Sequence, residues 1–155
     1  MPRSVLFTPF EPWHLEAMTP REQQLADYEV FEKNKGVYQY GEFLLTNSIY
    51  HGTVLVGGRV VASAGVSELY PHIGYCWAVF SDDFLKCSLR ERYKVAKEIE
   101  RNMKATHYSR IQATCEEGFV EAETFLRKIG MEEEGILRKY GSDGKNHKLF
   151  SYTGE

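Results

Sequence analysis

Three cysteines, Cys76, Cys87 and Cys115, are all that this 155-residue chain carries, and none forms a C-x-x-C pair. An odd, widely spaced set excludes a disulfide framework and a zinc site, so free buried thiols in a reducing compartment and no metal are expected. Long apolar runs are also missing. No stretch approaches the roughly 18 apolar residues that span a bilayer, and nothing before Glu11 has the apolar core of a secretory signal. A cytoplasmic protein without a membrane partner is expected. Neither sign of charge dominates: net charge is −3, which provides no global drive toward nucleic acid or anionic membrane, so such binding would need a local patch. Repeats, linkers and low-complexity segments are absent.

What the chain does have is a globular composition, 43% hydrophobic and 26% charged, with 14% aromatic residues that point to a ring-rich core. Its length suits one domain over 1–155 with a sizeable core. Arg3 to Thr8 reads as a strand ended by Pro9 and Pro12, and Trp13 to Met18 as one or two helical turns. Thr19-Pro20-Arg21-Glu22 is a helix start, with a cap, a first-turn proline and a capping-box glutamate. Leu25, Tyr28 and Phe31 continue it at helical spacing, and Gly36 is its expected stop. Asn47 to Val56 and Arg59 to Ser67 read as paired strands about a Gly57-Gly58 turn. An aromatic strand follows at Tyr75-Cys76-Trp77-Ala78-Val79-Phe80. Arg110 to Thr114 is a short strand and Val120 to Lys128 a helix ended by Gly130. Ile136 to Tyr140 and Lys148 to Tyr152 form a closing hairpin.

Between these lies a segment, Leu85 to Ala105, with strong helical periodicity. Leu85, Leu89, Ala96, Ile99 and Met103 share an arc of about 80°, a core-facing stripe. Lys86, Arg90, Lys94, Lys97, Arg101 and Lys104 share another arc of similar width. A solvated helix face supported by Glu91, Glu98 and Glu100 accounts for such a line of cations. An anion-binding stripe, for nucleic acid, coenzyme phosphates or an acidic protein, is the functional alternative.

This order of elements resembles the GCN5-related N-acetyltransferases (GNAT). The resemblance implies an α/β fold with a mixed, mostly antiparallel, six- to seven-stranded central sheet flanked by helices. It also implies acetyl-CoA lying where the fourth strand splays from the fifth, with Trp77, Ala78, Val79 and Phe80 as contact residues. Two departures stand out. The family's glycine-rich pyrophosphate loop corresponds to Ser81 to Arg90, which has no glycine; its side chains would obstruct a backbone anion site, and Asp82 and Asp83 would repel phosphate. Ser88, Arg90 and Arg92 are side-chain substitutes. The family's frequent tyrosine, which protonates the leaving thiolate, falls four residues before Gly130-Met131, where Leu126 cannot donate a proton. The segment Phe125 to Gly130, the Asp143-Gly144 hairpin ending Leu149 to Thr153, and the Trp77 strand followed by a glycine-free basic helix also resemble the GNAT-like phage family that includes internal virion protein A of short-tailed phages. That narrower likeness implies a role in virion assembly or early infection, in the host cytoplasm and through a virion or host protein partner.

For catalysis, Glu68 after the third strand is the candidate base for the acceptor amine, and Tyr140 in the closing hairpin the alternative acid. Cys115 would need a histidine partner in space to act as a nucleophile. Three functions remain open: a catalytically weak or silent phage accessory protein acting through binding, an acetyl-CoA-dependent N-acetyltransferase, and a nucleic-acid-contacting module using the cationic stripe. The glycine-free loop predicts weak or undetectable acetyl-CoA binding.

Overall fold

The structure, a computed structural model, describes residues 3–18 and 36–154. The expected helix start at Thr19 to Glu22 and its continuation through Phe31 lie outside the described residues. Seven strands form one sheet in the order β1-β2-β3-β4-β5-β7-β6. They are β1 (Val5–Thr8), β2 (Ser48–Val56), β3 (Arg59–Tyr70), β4 (Ile73–Phe80), β5 (Arg110–Glu116), β6 (Glu132–Leu137) and β7 (His147–Thr153). Every neighbouring pair is antiparallel except β4 with β5. The helices are α1 (Trp13–Glu16), α2 (Gly36–Asn47), α3 (Leu89–Lys104) and α4 (Val120–Lys128). This is the mixed, mostly antiparallel sheet flanked by helices that the sequence predicts. No helix among the described residues is long and apolar enough to cross a membrane.

Each face of the sheet has its own core. On one, Val95, Ile99 and Met103 of α3 and Phe125, Leu126 and Ile129 after and along α4 pack on the strands. On the other, Phe10, Leu15 and Leu44 pack against Val60, Trp77 and Val79. Two-sided cover explains why Val60 through Val66 of β3 are all buried although their pattern alternates. Burying a side chain such as Ile129 or Phe150 contributes about 1.5–3 kcal/mol. Cys76, Cys87 and Cys115 are free and buried.

Several expected boundaries move. Gly36 begins the described part of α2, the helix it is expected to stop lies outside the described residues, and α2 itself is absent from the sequence reading. Gly41 explains why: a Cβ there would sit 2.7 Å from the Pro12 Cα, so a residue that reads as a helix breaker is what lets α2 approach α1. The cationic helix starts at Leu89, capped by a reciprocal Ser88–Glu91 box. Leu85 belongs instead to a 3₁₀ turn over Asp82–Lys86. Leu85 and Leu89 are therefore not core residues; Leu89 is 77% exposed. The strand read at Ile136 to Tyr140 lies earlier, at Glu132–Leu137, and Tyr140 falls in the turn beyond it. β3 runs on to Tyr70, so Glu68 lies within it, paired with Gly74.

Candidate functional site

β4 and β5 run parallel and pair only at Ile73–Arg110, Gly74–Ile111 and Tyr75–Gln112. Past that point β4 stays with β3 as far as Phe80, and β5 stays with β7 as far as Glu116. The sheet thus opens between two intact blocks. The last tie is a side-chain one, Tyr75 Oη to Thr114 Oγ1 at 3.0 Å. A cavity of about 570 Å³ fills the opening and reaches from α2 on one face to α4 on the other. Their outer partners serve the backbone groups on the far edge of each strand, whereas the groups on the near edge face the cleft.

Of the residues singled out by sequence, Trp77, Ala78 and Phe80 line this cleft. The Trp77 side chain is fixed by close approach to Gly65, where a Cβ would lie 2.7 Å from the indole, and by its Nε1 donating to Ser48 Oγ at 2.7 Å. Val79 packs in the same core as Trp77 and is not part of the cleft lining. Glu68 and Tyr140, 72 residues apart in the chain, both stand on the cleft wall. Glu68 accepts a hydrogen bond from the Tyr108 hydroxyl at 2.9 Å. Burial and that carboxylate push the Tyr108 phenol up to about 12. Tyr140 is 54% exposed, and its ring centroid lies 5.5 Å from that of His147.

Sequence reasoning missed His147, Thr114 and the α2 residues Tyr40 and Phe43, which also line the cleft. His147 Nδ1 is enclosed without a hydrogen-bond partner, a polar atom that calls for a functional account. No motif marks it; only the β5–β7 register, which sets it opposite Glu116, brings it there. Cys115 lines the cleft too, but burial pushes its thiol up to about 12, and a protonated thiol is a poor nucleophile. Leu126, at the expected tyrosine position, is an apolar part of the wall.

The end of the cleft toward α3 is built differently. Phe84, from the 3₁₀ turn, packs with Phe80 at 4.9 Å and with Phe125 at 6.1 Å between ring centroids, and Phe80 and Phe125 are 5.0 Å apart. The amides that would face a phosphate are engaged: Phe84 N donates to Ser81 O at 3.0 Å and Ser88 N to Glu91 Oε1 at 2.8 Å. Glu91 also receives Arg3 Nη2 at 2.9 Å and Nε at 3.2 Å. Arg3 first, then the Ser88 amide, hold this carboxyl down at about 2. An internal anion therefore already occupies the positive end of α3. Ser88 serves as the helix cap. Arg90 turns to a separate hollow shared with Arg3, Lys86 and Lys94. Arg92 lies nearer the aromatic corner, its guanidinium 5.7 Å from the Phe84 ring centroid.

Four of the six cations of the stripe pair with nearby carboxylates, three of them on α3 itself. Lys97 and Lys104 both reach Glu100, at 3.3 and 2.9 Å, and Arg101 pairs with Glu98. Lys86 reaches Asp83 at 3.5 Å.

Among solved structures, the chain is similar to Ard1 from Thermoplasma volcanium, at 15% identity and a TM-score of 0.69, covering 97% of this chain and 98% of that one. It is similar to the ribosomal-protein-S5-alanine acetyltransferase from Vibrio fischeri, at 15% identity and a TM-score of 0.65, covering 97% and 93%. It is also similar to Mycobacterium smegmatis RimJ, solved in complex with CoA-disulfide, at 16% identity and a TM-score of 0.65, covering 99% and 86%. No protein-family profile and no curated protein sequence matches the chain. The chain has the fold of the GNAT acetyltransferases.

Proposed function

We propose that the protein is an acetyl-CoA-dependent N-acyltransferase of weakened coenzyme affinity, acting on an amine. The observation that supports this reading is that Glu68 and Tyr140 both line the cleft between β4 and β5. A pantetheine arm suits a cleft walled by Trp77, Ala78 and Ile129, whereas the aromatic corner and Glu91 give its diphosphate no backbone site. When bound, acetyl-CoA supplies an electrophilic thioester carbonyl. Glu68 accepts a proton from the acceptor ammonium, directly or through water, leaving the amine able to form the new C–N bond. Tyr140 would supply a phenolic proton to a leaving thiolate and recover one from the acylated nitrogen. Trp77 and Leu126 would limit access of water to the cleft.

A second reading is favoured by the same closed corner. A GNAT-like phage accessory protein, catalytically silent and binding a virion or host protein in the host cytoplasm, would keep the fold while filling the phosphate site with Phe84. A nucleic-acid role, expected of Lys86, Arg90, Lys94, Lys97, Arg101 and Lys104, would centre on Arg90 and Lys94, since the other four already pair with carboxylates. Calorimetric titration with acetyl-CoA separates the first two readings. Binding weaker than about −8 kcal/mol, a Kd above the low micromolar range, with transfer to amines supports the enzyme. No heat at millimolar coenzyme supports the accessory protein.

A further inference from the structure

We propose that the cleft binds, as its acceptor, a primary ammonium carried on a bulky apolar group: an arylalkylamine, or the N-terminus of a peptide that begins with a large apolar residue. The inference rests on the acyltransferase reading and names its substrate class.

The first observation is charge. The chain has 19 lysines and arginines, yet among the described residues the cleft wall has none, while Glu68 and Glu116 both stand on it. Glu116 is compensated by Lys145 at 3.1 Å. Glu68 is not: its partner is the neutral hydroxyl of Tyr108. A wall with one uncompensated carboxylate and no cation attracts a cation and repels an anionic ligand.

The second observation is apolar exposure. Phe43, Leu69 and Tyr140, from α2, the end of β3 and the β6–β7 turn, line the same cleft and are 50%, 47% and 54% exposed. Large apolar side chains exposed along one cleft mark a binding site for apolar surface. A hydrophilic polyamine would satisfy Glu68 and leave these side chains in water. An aromatic acid would cover them and be repelled. An amphipathic ammonium meets both conditions.

The test measures binding to the full chain without coenzyme, using Trp77 indole fluorescence or its NMR signal. The probes are phenethylamine, its near-isosteric acid 3-phenylpropionate, spermidine, and a short amidated peptide with N-terminal Phe. Phenethylamine is expected to bind at least about ten-fold tighter than the acid and than spermidine. Glu68→Gln should remove about ten-fold of that affinity, and Phe43→Ser and Leu69→Ser should each weaken it, with melting curves confirming that the variants fold. A peptide that binds more tightly than phenethylamine assigns the source to peptide N-termini; the reverse order assigns it to free amines. Equal or tighter binding of spermidine or 3-phenylpropionate, no binding of any amine, or affinity indifferent to all three variants overturns the proposal. Acetyl transfer is then measured separately. Selective amine binding without transfer sinks the enzyme reading alone, and transfer only to hydrophilic amines sinks the acceptor assignment alone.

Discussion

Along the cleft wall, Glu68 stands beside Gly74 near the start of β4, and His147 beside Glu116 at the end of β5 with Tyr140 against it, whereas toward α3 the rings of Phe80, Phe84 and Phe125 pack on one another. The wall carries titratable side chains, and the corner is closed by aromatic ones. The contrast teaches that the two parts of a splayed sheet can vary independently, because they are built from different segments. Strand divergence and the β6–β7 turn make one, and the turn before α3 makes the other.

The sharpest way to break this contrast is to remove the plug. Phe84→Ala should cost about 3–5 kcal/mol of stability, read by denaturant unfolding, because the ring is buried among aromatics. The same change should tighten acetyl-CoA binding in a titration. Unchanged affinity would mean that the corner is not what limits the coenzyme.

Next in size is the cleft wall. Glu68→Gln should lower the acetyl-transfer rate by about 10²-fold, with the affinity for acetyl-CoA unchanged. Tyr140→Phe should act similarly on the rate. Steady-state kinetics on both variants check the pair, and full activity in both sinks the assignment.

The anion at the start of α3 offers a subtler test. The Glu91 carboxyl is depressed from 4.5 to about 2, first by Arg3 and then by the Ser88 amide. A depressed carboxylate stabilises the folded state above its unfolded value, and that contribution is lost as pH falls through the folded one. Glu91→Gln should therefore lower Tm at pH 7, and the gap from the native protein should narrow between about pH 4.5 and 2. Melting curves across that window decide it; a gap independent of pH would assign the loss to packing.

The smallest effect is expected on the outer face of α3. Lys97→Ala and Arg101→Ala should each change stability by less than about 1 kcal/mol, since exposed i,i+3 pairs contribute little. Reversal of Lys94, Lys97 and Arg101 to Glu should leave Tm nearly unchanged. If the stripe holds a polyanion, the same reversal should abolish a binding that already falls steeply with salt in the native protein.

Local signals were readable wherever neighbours in sequence settle the structure. The Gly57-Gly58 turn has φ of +58° and +81° as a two-residue hairpin needs, and α4 has the expected bounds, Val120–Lys128. No strand is read at the triplet Glu132 to Glu134, yet it forms the first half of β6. There Glu133 pairs with Arg127 and Lys148, and Glu134 with Arg110. Those partners come from other elements and leave no trace in the local pattern. Leu89 fails for a related reason: periodicity registers which residues share a face, but not where the Ser88 cap starts the helix.

For the site, the sequence alone determined the ingredients. These are an aromatic strand, a glycine-free turn, a leucine where a proton donor is expected, and two candidate proton carriers in segments far apart. Only the tertiary structure decided that β4 leaves β5 after Tyr75 and that Glu68, Tyr140 and His147 all line the opening. It also decided that Phe84 closes the corner with Phe80 and that Glu91 takes the Ser88 amide. The division follows from range. Propensity, capping and turn chemistry act over a few residues and are written in them, whereas a cleft is the space between strands whose pairing partners lie tens of residues away.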